Sequence, residues 1–322
     1  MALALTFNVV AGFSDGGNLL AAATAGRVVS PRAAFFIIAL GALAGPLLAG
    51  TAVAGTIGHD IVNYPRIGAL PLSGGIAGGL CAVLLAYWLR FPTSGSVALL
   101  SSTFGSLLSL GRLDAIQWHG VAKVAGSLFG SIIVGFAIGA LAYVILLALL
   151  ARVNYETGMR VMRLQYAAVA LQAFGYGAND AEKMMGLIVA ATLIGNAGAP
   201  FVVPLWVVAA AVGAFAVGMA IGGIRIARTI GGKLFTIRPL HALAFQIAAA
   251  TTVLTAARLG GPLSTTETTA SAILGVGAIA KPRAVHWQVA RELVLAWLIT
   301  VPSGIFCGLA VTLVLQATNL VH

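Results

Sequence analysis

The chain has 322 residues, of which 60% are hydrophobic and only 8% are charged, and its mean hydropathy is +1.03. Soluble domains do not have this composition, so the chain is expected to lie in a lipid bilayer. The formal net charge is +10, but the basic residues are scattered singly in short loops, and nucleic acid is therefore not an expected partner.

Apolar residues occur in continuous blocks, each long enough to cross a hydrocarbon core of roughly 30 Å as a helix. In chain order, each half has three apolar spans, a segment rich in proline and hydroxyl residues, and a longer apolar stretch. We predict an all-α integral membrane protein of the cytoplasmic membrane, with about ten spans and two re-entrant helical hairpins. The hairpins are placed in "FPTSGSVALLSSTFGSLLSLG" and "GPLSTTETTASAILGVGAIAK". The long stretches at 115–150 and 285–320 are expected to break near Gly135 and near Val301.

Three short motifs recur in the same order in the two halves of the chain. "GFSDGGN" aligns without gaps with "GANDAEK", which pairs Asp15 with Asp180. "FPTSGSVALL" aligns with "GPLSTTETTA", and "IQWHGVAK" with "VHWQVARE", at nearly the same offset. Two related halves are typical of secondary transporters. We predict a first repeat over 1–155 and a second over 160–322, joined by the charged segment "ARVNYETGMRVMR".

Basic residues indicate the orientation of the repeats. Arg152, Arg160 and Arg163 mark one cytoplasmic segment, because positive loops stay inside. The uncharged turn "NAGAPFVVP" is then expected outside, whereas its counterpart "AGRVVSPR" carries two arginines and is expected inside. The repeats are therefore predicted to have inverted topology.

Four of the eight acidic residues, Asp15, Asp180, Glu182 and Glu267, fall in the first two pairs of repeated motifs. Charges at bilayer depth are costly, and they commonly face a cavity, pair with each other or mark an ion path. The adjacent glycines are expected to unwind each helix and expose carbonyl oxygens to a cation. The predicted cation ligands are Ser14, Asp15, Asn179 and Asp180, with Asp15 and Asp180 as metal ligands if the coupling ion is sodium. A proton is the other candidate, and no further cofactor is expected.

Hydroxyl-rich triplets follow Pro92 and Pro262. Each triplet is positioned to begin a half-helix whose free N–H groups, hydroxyls and dipole attract an anion. Two such helix ends from inverted repeats would meet near the midplane, so the pattern predicts an oxyanion between the hairpins and cations at the broken helices. The predicted substrate-binding residues are Ser94, Gly95, Ser96, Ser264, Thr265, Thr266, Asn18, Lys183 and Glu267. For Lys183, neutralisation of a neighbouring carboxylate is an equal alternative.

Other classes of function fit the sequence less well. An enzyme is not expected, because the histidines are scattered and neither H-E-x-x-H nor G-x-S-x-G occurs. An anion channel is an alternative, since paired filters also use hydroxyl and backbone groups. Carboxylates in both halves favour alternating access.

The motifs resemble those of the PiT family of inorganic phosphate transporters. "GFSDGGNLLAAATAGRVVSPRAA", "RFPTSGSVALL", "WHGVAKV", "RLQYAAVALQAFGYGANDAEKMMGL" and "GGPLSTTETTASAILGVG" stand in the family's order and spacing. The resemblance implies a cation-coupled symporter with inverted repeats, which forms a homodimer and carries phosphate or, in some branches, sulfate. It also implies paired signature positions at Asp15, Asn18, Asn179 and Asp180.

The chain departs from the family pattern at several positions, with Ser14, Val97, Glu182 and Glu267 in place of the usual residues. A carboxylate near the anion can accept a hydrogen bond from protonated phosphate, which sulfate at neutral pH cannot donate. This favours phosphate over the alternative, a sulfate permease of the same family. Glu267 instead carries the coupling proton if burial keeps it protonated, and it then does not discriminate between the two anions.

Overall fold

The structure, a computed structural model, describes residues 1–89, 93–194, 196, 199–230, 237–285 and 287–318. Pro92, predicted to precede the first hydroxyl triplet, lies outside the described residues. The described chain is almost entirely helical. The helices of the first half are α1 (Ala2–Ala11), α2 (Gly17–Thr24), α3 (Pro31–Ala49), α4 (Ala52–Gly55), α5 (Tyr64–Ile67), α6 (Ala69–Trp88), α7 (Gly95–Ser109) and α8 (Trp118–Leu150).

The short amphipathic helix α9 (Tyr155–Met162) connects the two halves, and the Asn154 side chain caps it by accepting a hydrogen bond from Thr157 N at 2.9 Å. The helices of the second half are α10 (Gln165–Tyr176), α11 (Glu182–Thr192), α12 (Leu205–Ile230), α13 (Pro239–Arg258), α14 (Thr265–Ala280) and α15 (Trp287–Ala317). Among the described residues, six helices are long and apolar enough to cross a membrane by length and composition. Four more spans were predicted, and they do not meet this criterion.

The two signature motifs lie in π-helical segments, Gly12–Gly16 between α1 and α2 and Gly177–Ala181 between α10 and α11. The expectation that these helices unwind is wrong, because the backbone stays right-handed helical through Gly12 (φ −60°, ψ −39°) and Gly177 (φ −59°, ψ −46°). The wider π turn places extra backbone at the carboxylates without breaking the helix, as is frequent at functional sites.

Close packing between the halves explains the glycines of the signature motifs. A Cβ atom on Gly12 would lie 2.0 Å from Phe215 O of α12, and one on Gly177 would lie 2.2 Å from Ala42 O of α3. Each π segment is therefore crossed closely by a helix of the other half. Helices of one half also pack on helices of the other half elsewhere, since α7 packs on α15 and α14 packs on α8.

The hairpins differ from those predicted. The described part of each hydroxyl-rich segment forms mainly one helix, α7 or α14, and the helix before it, α6 or α13, forms the other arm. The chain segments at the two ends of the first hairpin, before α5 and before α8, are hydrogen-bonded to each other. Gln117 N donates to Ile61 O at 2.9 Å, and Val62 pairs with Ile116. Helix α7 runs without a turn from Gly95 to Ser109, and its Gly105 permits close contact with α15, since a Cβ there would lie 2.0 Å from Ile305 O.

The long apolar stretches form single helices, so the predicted breaks near Gly135 and Val301 are wrong. Helix α8 has 33 residues and α15 has 31, which corresponds to ~50 Å, more than one bilayer crossing requires. A Cβ on Gly135 would lie 2.6 Å from Ser271 Oγ, so this glycine permits contact with α14 instead of interrupting α8.

Helix α11, which follows the second signature motif, is much more buried than the long helix α8. Every residue from Glu182 to Ala190 in α11 is buried. By contrast, α8 exposes large apolar side chains such as Phe129 and Ile133. In a membrane protein these exposed faces contact lipid, whereas α11 lies in the interior with its polar residues.

Candidate functional site

The first turn of α14 contacts both signature carboxylates. Thr266 Oγ1 donates to Asp15 Oδ1 at 3.1 Å, and Thr265 Oγ1 donates to Asp180 Oδ2. Consecutive side chains on a helix point in different directions, so the two hydroxyls reach carboxylates on different helices. The carboxylates of the two halves thus meet at one end of one hairpin.

Lys183 occupies the centre of this arrangement. Its ammonium group lies 2.6 Å from each of three oxygen atoms: Asp180 Oδ1, Ser96 Oγ and Leu263 O. Three donors on the ammonium thus have three acceptors. Lys183 and Asp180 are both buried. This buried ion pair joins α11 to the tips of both hairpins, which are the residues at the start of α7 (Ser96) and just before α14 (Leu263).

Two asparagines of the signature motifs bind the tip of the second hairpin. Asn179 Nδ2 donates to Gly261 O at 3.1 Å, and Asn179 Oδ1 accepts from Leu263 N at 3.1 Å. Asn18 Nδ2 donates to Thr266 Oγ1 at 3.2 Å. Both predicted residues are therefore at the site, where they orient the hairpin.

The helix ends predicted to hold the anion are present in the structure. Ser94 precedes α7 and Ser264 precedes α14. Ser264 Oγ accepts from Glu267 N at 3.4 Å, whereas Ser94 Oγ is buried and has no hydrogen-bond partner among the described residues. Ser96 Oγ donates to Leu263 O at 3.2 Å, which brings the tips together. The positive ends of two helix dipoles therefore lie beside Lys183.

A small cavity lies between these groups. It is lined by Phe7, Asn8, Ala11, Asp15, Gly95, Ser96, Leu99, Asp180, Lys183 and Met184. Two carboxylates and one ammonium give its charged lining a formal charge of one negative. An oxyanion therefore requires an accompanying cation to enter this space, because an uncompensated like charge in a buried site is strongly unfavourable.

Ser14 and Glu182 form their hydrogen bonds away from this cavity. Ser14 Oγ donates to Val10 O at 3.2 Å in its own helix, so its hydroxyl is not directed at Asp15. Glu182 Oε2 accepts from Val53 N at 3.1 Å and from Ala54 N at 3.3 Å, which places it at the start of α4. Glu267 is buried in the first turn of α14.

Sequence reasoning missed some groups at the site. The Leu263 carbonyl gives no side-chain signal, because its role depends only on the backbone. Asn8 is completely buried and lines the cavity, with its Nδ2 donating to Ala211 O at 2.9 Å. A polar residue within an apolar run was the available signal. The spacing of Ser264 and Glu267 also matches a capping box, which predicts where α14 begins.

Comparisons with known proteins give one consistent result. The sequence profile described as "Phosphate transporter family" (PHO4) matches residues 11–164 and 151–308. A "Probable low-affinity inorganic phosphate transporter" of Rhizobium meliloti (strain 1021) is 33% identical over 310 residues, which cover 94% of this chain and 92% of the relative. A protein of the same description from Bacillus subtilis (strain 168) is 30% identical over 309 residues, 95% of this chain and 92% of the relative. A solved structure titled "The sodium-dependent phosphate transporter" has the same fold, with a TM-score of 0.75, 22% identity and 98% of each chain covered.

Proposed function

Because the chain belongs to the phosphate transporter family, we propose that it carries inorganic phosphate across the cytoplasmic membrane together with a cation, by alternating access. The predicted family is confirmed, and so is the expectation of a multi-pass membrane transporter rather than an enzyme. The coupling mechanism and the coupling ion are proposals.

One observation carries the proposal: adjacent hydroxyls of α14 bind the carboxylates of both halves, Thr266 to Asp15 and Thr265 to Asp180. A cation at the carboxylates and an anion at the hairpin end then share the same hydroxyl groups. Binding of either ion changes the surroundings of the other, which is the requirement for coupled transport.

The chain path supports inverted repeats. In the first half we count α1 and α2, joined through the π segment, as one crossing, and α3 and α4, interrupted at Gly50 (φ 92°), as a second. The hairpin of α6 and α7 returns to the side on which it began, and α8 crosses once more. Three crossings in a half put the next half in the opposite orientation, so the second repeat starts on the other side.

Phosphate is favoured over sulfate by the carboxylates of the cavity. Protonated phosphate can donate a hydrogen bond to Asp15 or Asp180, whereas sulfate at neutral pH has no proton to donate. A lost hydrogen bond of this kind costs on the order of 1–3 kcal/mol, or roughly tenfold to hundredfold in affinity.

Uptake of radiolabelled phosphate and sulfate into proteoliposomes tests the proposal, with sodium or pH gradients imposed separately. We expect phosphate accumulation that one of the gradients drives and that excess sulfate inhibits weakly. Sulfate uptake that phosphate fails to inhibit would instead identify a sulfate permease. Steady anion current without a dependence on either gradient would identify a channel. The mass of the purified protein in detergent tests the homodimer that the family resemblance implies.

A further inference from the structure

The two signature carboxylates are not equivalent in their surroundings. At the position three residues after Asp180 the chain has Lys183, and at the matching position after Asp15 it has Asn18. Lys183 forms an ion pair with Asp180 at 2.6 Å, whereas Asp15 takes part in none of the ion pairs of the described residues. The repeat therefore places a cationic side chain at one carboxylate only.

The oxygen atoms around the Lys183 ammonium are of the kind that bind a small metal cation. They are one carboxylate oxygen, one hydroxyl and one backbone carbonyl, all at 2.6 Å. Hard oxygen donors of these types are the usual ligands of alkali and alkaline-earth cations. They come from three segments, the π segment at Asp180, α7 at Ser96 and the hairpin tip at Leu263, so the ammonium holds together the parts that a bound cation would join.

We propose that Lys183 is a built-in cation, which takes the place of one mobile monovalent cation at Asp180. Asp15 is then the carboxylate that binds a mobile cation. A lysine cannot leave the protein, so it supplies charge and cross-links the hairpin tips without being transported. This proposal depends on the proposed function in one respect only, namely that the cation at Asp15 is the one coupled to phosphate transport.

Removal of the ammonium is expected to leave the three oxygen atoms around it as a binding site for a metal ion. In Lys183→Met the side chain keeps a similar length but no charge, and Asp180 Oδ1, Ser96 Oγ and Leu263 O no longer accept from an ammonium group. A buried carboxylate without a partner is unfavourable, so sodium is expected to enter and compensate its charge.

Equilibrium binding of ²²Na⁺ to the purified full-length chain in detergent, without phosphate, tests the proposal. We expect Lys183→Met to bind one more sodium ion per chain than the wild type. The second substitution in Lys183→Met/Asp180→Asn should remove that extra ion, because it takes away the carboxylate. Equal sodium binding by the wild type and Lys183→Met would overturn the proposal.

Two further measurements apply if Lys183→Met does not fold. The wild type should bind no more than one sodium ion per chain, and a count of two would overturn the proposal by itself. The reciprocal variant Asn18→Lys places a lysine three residues after Asp15, and it should remove any sodium binding that Asp15→Asn also removes. Retention of that binding in Asn18→Lys would count against the proposal. These readouts do not involve phosphate, so a failure of phosphate transport would contradict only the proposed function.

Discussion

The Thr266 hydroxyl, in the second half of the chain, donates to the Asp15 carboxylate of the first half over 3.1 Å. The neighbouring Thr265 hydroxyl donates to Asp180. Since the first turn of α14 contacts both carboxylates, movement of this hairpin tip changes the surroundings of both carboxylates together. A single rigid element thus connects the two halves at the site.

Thr266→Val keeps the shape of the side chain and removes its hydroxyl. Asp15 then loses a donor and Asn18 loses an acceptor. Loss of a hydrogen bond to a charged group costs about 1.5–3 kcal/mol, so we expect the apparent affinity for phosphate and for the coupling cation to fall roughly tenfold or more. Uptake kinetics in proteoliposomes measure both affinities.

Thr268→Val is the matched control on the same helix, because the Thr268 hydroxyl donates to Ser264 O in its own backbone at 2.8 Å. Its transport should stay close to that of the wild type. Equal losses in the two variants would show that the effect arises from damage to α14 and not from the contact with Asp15.

Asp15→Asn removes the carboxylate for which the structure provides no lysine partner. We expect a folded protein that no longer accumulates phosphate against a gradient, because the cation has lost its charged ligand. Asp114→Asn is a suitable control, since Asp114 lies in an exposed pair with Arg112 at 3.4 Å. Normal gradient-driven uptake by Asp15→Asn would refute the role assigned to this carboxylate.

Asp180→Asn leaves the Lys183 ammonium buried without its charged partner. Breaking a buried ion pair on one side costs about 3–5 kcal/mol, whereas replacing both partners by uncharged residues is often nearly neutral. We therefore expect Asp180→Asn to lower the thermal unfolding midpoint in detergent and Asp180→Asn/Lys183→Met to recover much of the loss. Additive effects of the two substitutions would contradict a direct interaction.

Gly12→Ala and Gly177→Ala introduce a methyl group where another helix crosses. The added Cβ atoms would lie 2.0 Å from Phe215 O and 2.2 Å from Ala42 O, so the helices must separate, at a cost of about 1–3 kcal/mol. Gly130→Ala in α8 is the control, because a Cβ there meets no atom within 4 Å. Thermal unfolding in detergent should show lower midpoints for the first two variants and an equal or higher midpoint for the control, since alanine favours helix.

Several features of the protein could be predicted from sequence alone, because they depend on composition and short-range pattern. Continuous apolar runs have no means of satisfying backbone groups in lipid except as helices. The starts of α8 and α15 at Trp118 and Trp287 coincide with one of the repeated motifs. The pairing of Asp15 with Asp180 also follows from the repeat, and the structure brings both residues to one cavity.

Tertiary packing decided how the polar residues are used. Lys183 and Glu182 are neighbours in sequence, yet one binds Ser96 and Leu263 and the other binds the first turn of α4. Adjacent positions on a helix point in different directions, and which partners they meet depends on helices that are far away in sequence. The glycines of the signature motifs were likewise ambiguous, because unwinding and close packing both require a residue without a side chain. The structure shows that close packing is the reason, because α12 crosses at Gly12 and α3 at Gly177 while both helices stay continuous.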